Sequence, residues 1–118
     1  MKKLIASLGF AFKGLSYATR SQPNFRIHLV LTAVALLLAW LLHVNFNEWI
    51  WIMLCIALVL SAELLNTALE ILTDLISPEF NEKAGYAKDV AAAAVTVVAL
   101  FAFITGLIIF LPKIAHQF

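Results

Sequence analysis

Charge is what this sequence has least of. Asp, Glu, Lys and Arg make up 13% of its 118 residues, against about a quarter in an average soluble domain. Formal net charge is +1, so there is no basic field of the kind that gathers nucleic acid. Cysteine occurs once, at Cys55, which excludes an intrachain disulfide. Inside an apolar run, that thiol reads as a packing residue. Neither GxxxxGK[ST] nor GxGxxG is present, which excludes the usual soluble nucleotide-binding loops. No Cys/His metal spacing occurs, and His28, His43 and His116 are scattered and read as interfacial residues. Repeats, low-complexity segments and linkers are missing too, so residues 1–118 read as one unit.

Apolar side chains take the place of charge. The hydrophobic fraction is 64% and the mean hydropathy is +0.98. Three runs are long enough to count as membrane spans, which need roughly 20 mainly apolar residues. They are expected over about 27–44, 49–74 and 89–111. The second qualifies only if it tolerates Glu63 and Asn66. Lys2, Lys3, Lys13, Arg20 and Arg26 precede the first span, and Lys83 and Lys88 precede the third. The loop "VNFNE" between the first two spans has neither Lys nor Arg. Positive residues mark the cytoplasmic side, so the N-terminus and the Ile76–Lys88 loop are expected there. Trp49 and Trp51 then fall at the outer interface, unless they only pack against neighbours.

The first 20 residues differ from the spans. Leu4, Ile5, Leu8, Phe12 and Leu15 recur at helical spacing, as in a helix lying in the membrane surface over about 2–19. A basic start suggests a signal peptide, but Lys13 interrupts the apolar stretch and no small-residue cleavage site follows. The segment is expected to be retained. Pro23 breaks the chain before the first span, Pro78 marks the cytoplasmic loop, and Pro112 is expected to close the last span.

The second span ends in "SAELLNTALEILTD", Ser61 to Asp74. Each helical residue advances about 100°. Glu63, Glu70 and Asp74 therefore fall within roughly 40° of one another, flanked by Asn66 and Thr67. Leu65, Leu69, Leu72 and Ile76 form the apolar face. Measured from Trp49, Glu63 lies about 21 Å along the helix and Glu70 about 31 Å, across a hydrocarbon core about 30 Å thick. Glu63 is thus inside the bilayer near its cytoplasmic side, with Glu70 and Asp74 at or beyond the boundary. A polar seam binding helices together explains Asn66 and Thr67. Glu63 fits that reading less well, because ionisable groups at this depth are costly and mark function.

Lys88 and Asp89 stand just before the third span. If the helix begins there, its N-terminus favours anions and the lysine can hold a phosphate. Asp89 can cap the helix or help hold a divalent cation. An interfacial lysine beside an N-cap is the plainer alternative.

"ELLNTALEILTD" resembles the signature of the prokaryotic diacylglycerol kinase family, as do "GFAFKGL", "NFRIH" and "AKDVAAAAV" at their positions. The resemblance covers nearly the whole chain. It implies an all-α membrane protein, with an N-terminal amphipathic surface helix and three transmembrane helices per subunit. It further implies homotrimers with active sites shared between subunits, in the bacterial inner membrane. The implied activity is Mg²⁺-dependent transfer of phosphate from ATP to a membrane lipid alcohol, diacylglycerol or, alternatively, undecaprenol. By the same resemblance Glu63 is the general base, Asn66 orients the site and Glu70 binds the Mg²⁺ of MgATP. Lys88, Asp89, Glu79, Phe80, Asn81 and Lys3 would contact the nucleotide. Where the family often has a second metal-binding glutamate, this chain has Gln22, whose oxygen can coordinate Mg²⁺ without the charge. The family's Val before the last Asp is Thr73 here, off the polar stripe. Two other classes also fit the polar residues: a small pore or transporter subunit, and an inert scaffold with a polar seam.

Overall fold

In the computed structural model, which describes Met1–Gln117, every regular element is an α-helix. α1 covers Lys2–Ser21, α2 Pro23–Leu41, α3 Phe46–Ile76 and α4 Glu82–Gln117. The last three are long and apolar enough to cross a membrane. At about 1.5 Å per residue, the 31 residues of α3 and 36 of α4 exceed a bilayer core of about 30 Å. Both are therefore longer than that core is thick, and their polar ends continue the backbone hydrogen bonding past the apolar stretch that hydropathy marks.

Each connection has a local cause. Gln22 is extended (φ −117°, ψ 105°) and ends α1, while Pro23 opens α2. Proline excludes the α conformation from the residue before it and suits a first helical turn. The Arg26 guanidinium donates to the carbonyls of Thr19 and Arg20, both at 3.0 Å. It thereby satisfies acceptors that the end of α1 leaves free and clasps α1 to α2.

α2 ends in a Schellman turn. The amide of His43 donates to the carbonyl of Trp40 at 3.4 Å and that of Val44 to Ala39 at 3.2 Å. His43 holds φ +54°, the left-handed position that glycine usually fills. That conformation costs a non-glycine residue roughly 1–2 kcal/mol, partly offset by glycine's larger entropy loss on folding. His43→Gly is therefore expected to stabilise the protein by about 0.5–1 kcal/mol. A thermal midpoint no higher than wild type would contradict this.

α3 then starts on a capping box. Asn45 accepts from the Glu48 amide at 2.8 Å, and the Glu48 carboxylate accepts from the Asn45 amide at 3.0 Å. Glu48 also pairs with Lys113 of α4 at 3.0 Å. Pro112 does not close the last helix: α4 runs through it to Gln117. Proline forfeits one backbone bond, and the Glu48–Lys113 pair ties the turn that follows to α3.

α3 packs along α4 and against α2, while α2 and α4 barely touch and, among the described residues, α1 meets only α2 and α3. Ala39, Val44, Ile52 and Ile109 form the buried cluster, with Trp49, Ile56 and Phe110 packed on it. That core lies at the α2–α3 turn. Trp49 thus packs inward, and Trp51 leans on Phe101 with ring centroids 6.4 Å apart. Cys55 is free and buried, as a packing residue should be. Most other large apolar side chains face outward, including Leu65, Leu69, Leu72 and Ile76 on α3. Apolar surface on this scale calls for lipid or a partner to cover it.

Candidate active site

The buried residues of α3 are Ile52, Cys55, Val59, Glu63 and Thr67. Their spacing of three and then fours is one helical stripe, so Glu63 occupies a core position, 4% exposed. Its partner is His28 of α2, whose Nε2 lies 3.1 Å from Glu63 Oε1. A buried carboxylate is strongly disfavoured without such a partner. The reading of His28 as an interfacial residue is thus corrected, its side chain being 18% exposed and turned to α3. The sequence carries one signal of this: Phe25, His28 and Thr32 share a helical face, which the structure buries at Phe25. Thr67 completes this layer, its hydroxyl donating to the Glu63 carbonyl at 2.9 Å.

One turn on, Asn66 Nδ2 donates to Glu70 Oε1 at 3.3 Å. Asn66 Oδ1 is buried with no hydrogen-bond partner among the described residues. A buried acceptor without a donor is costly, so this oxygen is available to an incoming donor. One turn further, Asp74 pairs with Lys88 of α4. The stripe therefore passes from a buried carboxylate, through a half-buried amide and carboxylate, to an exposed ion pair.

Lys88 and Asp89 do not start the last helix. α4 begins at Glu82, and Asn81 caps it by accepting from the amides of Lys83 (2.9 Å) and Ala84 (3.2 Å). The free helical N–H groups thus lie a turn or more before Lys88, and Asp89 is not the cap. Hydropathy missed these turns because they are polar and outside the apolar run. Lys88 faces α3 because α3 and α4 pack as antiparallel neighbours. Glu79, Phe80 and Asn81 form an exposed connection, Phe80 being 98% accessible. Gln22 is half-buried at the α1–α2 break, and Lys3 is exposed at the far end of α1. The structure thus brings Asn66 to Glu70 and Lys88 to Asp74, and leaves Lys3 exposed at the opposite end of α1 from Gln22.

Among the described residues, no group of three or more His, Cys, Asp or Glu could hold a metal ion alone. Mg²⁺ is usually bound by one or two carboxylates plus substrate phosphates rather than by an all-protein cage. Glu70, beside the unpartnered Asn66 oxygen, is an all-oxygen donor set of that kind. The residues fit a magnesium ion that arrives with a nucleotide.

Residues 9–110 match the family model described as prokaryotic diacylglycerol kinase. The chain belongs to the prokaryotic diacylglycerol kinase family. It is 38% identical over 114 residues to the undecaprenol kinase of Bacillus subtilis (strain 168), covering 97% of this chain and 93% of that one. It is 40% identical over 112 residues to a diacylglycerol kinase of Synechocystis, covering 94% of this chain and 64% of that one. It is 33% identical over 107 residues to the diacylglycerol kinase of Escherichia coli K12, covering 91% and 88%. Family membership makes the chain a membrane enzyme, a lipid kinase that uses ATP, rather than a pore subunit or an inert scaffold.

Proposed function

We propose that this protein transfers the terminal phosphate of MgATP to the hydroxyl of a membrane lipid at the cytoplasmic face of the bacterial inner membrane. What carries the reading is one helix, α3, holding a buried carboxylate at Glu63, a half-buried one at Glu70 and an exposed one at Asp74. A lipid hydroxyl approaches from the bilayer and a nucleotide from water, and α3 presents a suitable group to each. Glu63 takes the hydroxyl proton as the new O–P bond forms and ADP leaves. Asn66 holds Glu70 in place and offers its free oxygen to the reacting groups. Glu70, with Gln22 as a weaker neutral donor, would hold Mg²⁺, which neutralises phosphate charge when bound. Lys88 and Asp89 would contact the nucleotide, as would Glu79, Phe80 and Asn81. Such transfer depends on positioning and charge neutralisation.

The reading includes a homotrimer with shared sites and a surface-lying, amphipathic α1. α1 has 20 residues, so Lys3 and Gln22 stand about 28 Å apart along it. One subunit is poorly placed to bring both to one nucleotide, whereas two subunits can. The unpartnered apolar faces of α2 and α4 are consistent with such neighbours.

Diacylglycerol is the first acceptor proposed. The second is undecaprenol, favoured by the near end-to-end match to the Bacillus enzyme. Purified protein in mixed micelles, given radiolabelled ATP and each lipid in parallel, tests both. Label in one lipid identifies the acceptor, and label in neither overturns the proposal. Gln22→Glu is expected to lower the Mg²⁺ concentration for half-maximal rate. An unchanged titration would remove Gln22 from the metal site.

A further inference from the structure

We infer that His28 is a positioning residue for the reaction, acting through Glu63. The inference rests on the proposal that Glu63 is the base. The imidazole Nε2 is 3.1 Å from Glu63 Oε1, and no other side chain among the described residues hydrogen-bonds that carboxylate. With Glu63 ionised, Nε2–H donates and the carboxylate accepts, so the histidine carries its proton on Nε2. One carboxylate oxygen is held by this bond, and Oε2 is left for the acceptor hydroxyl.

The chemistry of the partner matters. A buried carboxylate without a donor carries a large desolvation penalty. An imidazole Nε2–H supplies one hydrogen bond to Oε1 and leaves the opposite carboxylate oxygen free to accept.

The surroundings give the ring one further feature. His28 lines the edge of an apolar cleft of about 560 Å³ between α2, α3 and α4, whose walls include Leu31, Cys55, Val59 and Phe103. The ring thus stands between an apolar space and the carboxylate. α2 carries this residue and α3 carries the base, so the α2–α3 packing sets the direction of the base.

Four single variants and one double variant test this, each read for kcat, for KM of MgATP and lipid, and for nucleotide affinity. His28→Leu is expected to lower kcat by about 10- to 100-fold, the scale seen when an orienting partner is removed, with both KM values near wild type. His28→Gln places an amide N–H near the position of Nε2 and is expected to restore most of the rate. His28→Asn falls one bond short and is expected to stay slow. In the Glu63→Gln background, adding His28→Leu is expected to change nothing further, because His28 has no base left to orient. If His28→Leu fails to fold, the contrast between Gln and Asn at this position decides.

Glutamine and asparagine variants of equal rate, fast or slow, would overturn the role of His28. An inactive Glu63→Gln beside a fully active His28→Leu would leave the base in place and overturn His28 alone. A fully active Glu63→Gln would overturn the base and His28 with it.

Discussion

Glu63→Gln is expected to lower kcat by about 10²- to 10⁴-fold, the usual contribution of a positioned general base, with MgATP affinity near wild type. The substitution isolates basicity. A glutamine oxygen can still accept from His28 Nε2, which lies 3.1 Å from the present carboxylate, so the hydrogen bond between α2 and α3 survives. Shape and volume are almost unchanged on a helical face where Val59 and Thr67 are also buried. Only the ability to take a proton is lost. Single-turnover label transfer and equilibrium nucleotide binding, measured on the same preparation, check this. Loss of nucleotide binding with unimpaired transfer at saturation would remove Glu63 from the role of base.

Glu70→Gln is expected to act on the other substrate. Its KM for MgATP should rise by about 10- to 100-fold, a scale typical of perturbed metal sites, and excess Mg²⁺ should restore part of the rate. Glutamine can keep the bond from Asn66 Nδ2, now 3.3 Å to Glu70 Oε1, so the change is again one of charge. Excess Mg²⁺ should not rescue Glu63→Gln, and that contrast separates the two carboxylates. A Glu70→Gln enzyme with an ordinary Mg²⁺ titration would place the metal elsewhere.

Much of the candidate site was legible before any coordinates. Glu63, Asn66, Glu70 and Asp74 lie on one helix, where order along the chain and order in space are linked by a fixed turn of about 100° per residue. Leu65, Leu69, Leu72 and Ile76 came out as the outward face for the same reason. The capping box of Asn45 and Glu48 is also visible in the sequence as Asn-x-x-Glu. The start of α4 was harder. Its first turns are polar, so hydropathy located the apolar stretch but not the helix. Asn81 was the usable signal, because a side-chain acceptor there meets the free amides of the first turn.

What the sequence determined alone is whatever a single helix determines. That includes three membrane-length apolar helices, the polar stripe on α3, and the breaks at Pro23 and Pro78. Pairings between helices were decided only by the tertiary structure. His28 meets Glu63 across 35 residues of chain, Lys88 meets Asp74, and Lys113 meets Glu48. None of these pairs has a sequence period, because each depends on the register in which two helices pack. Helix periodicity is set by backbone hydrogen bonds between near neighbours. Register is set by side-chain packing between distant ones, and it was register that gave the buried carboxylate its histidine.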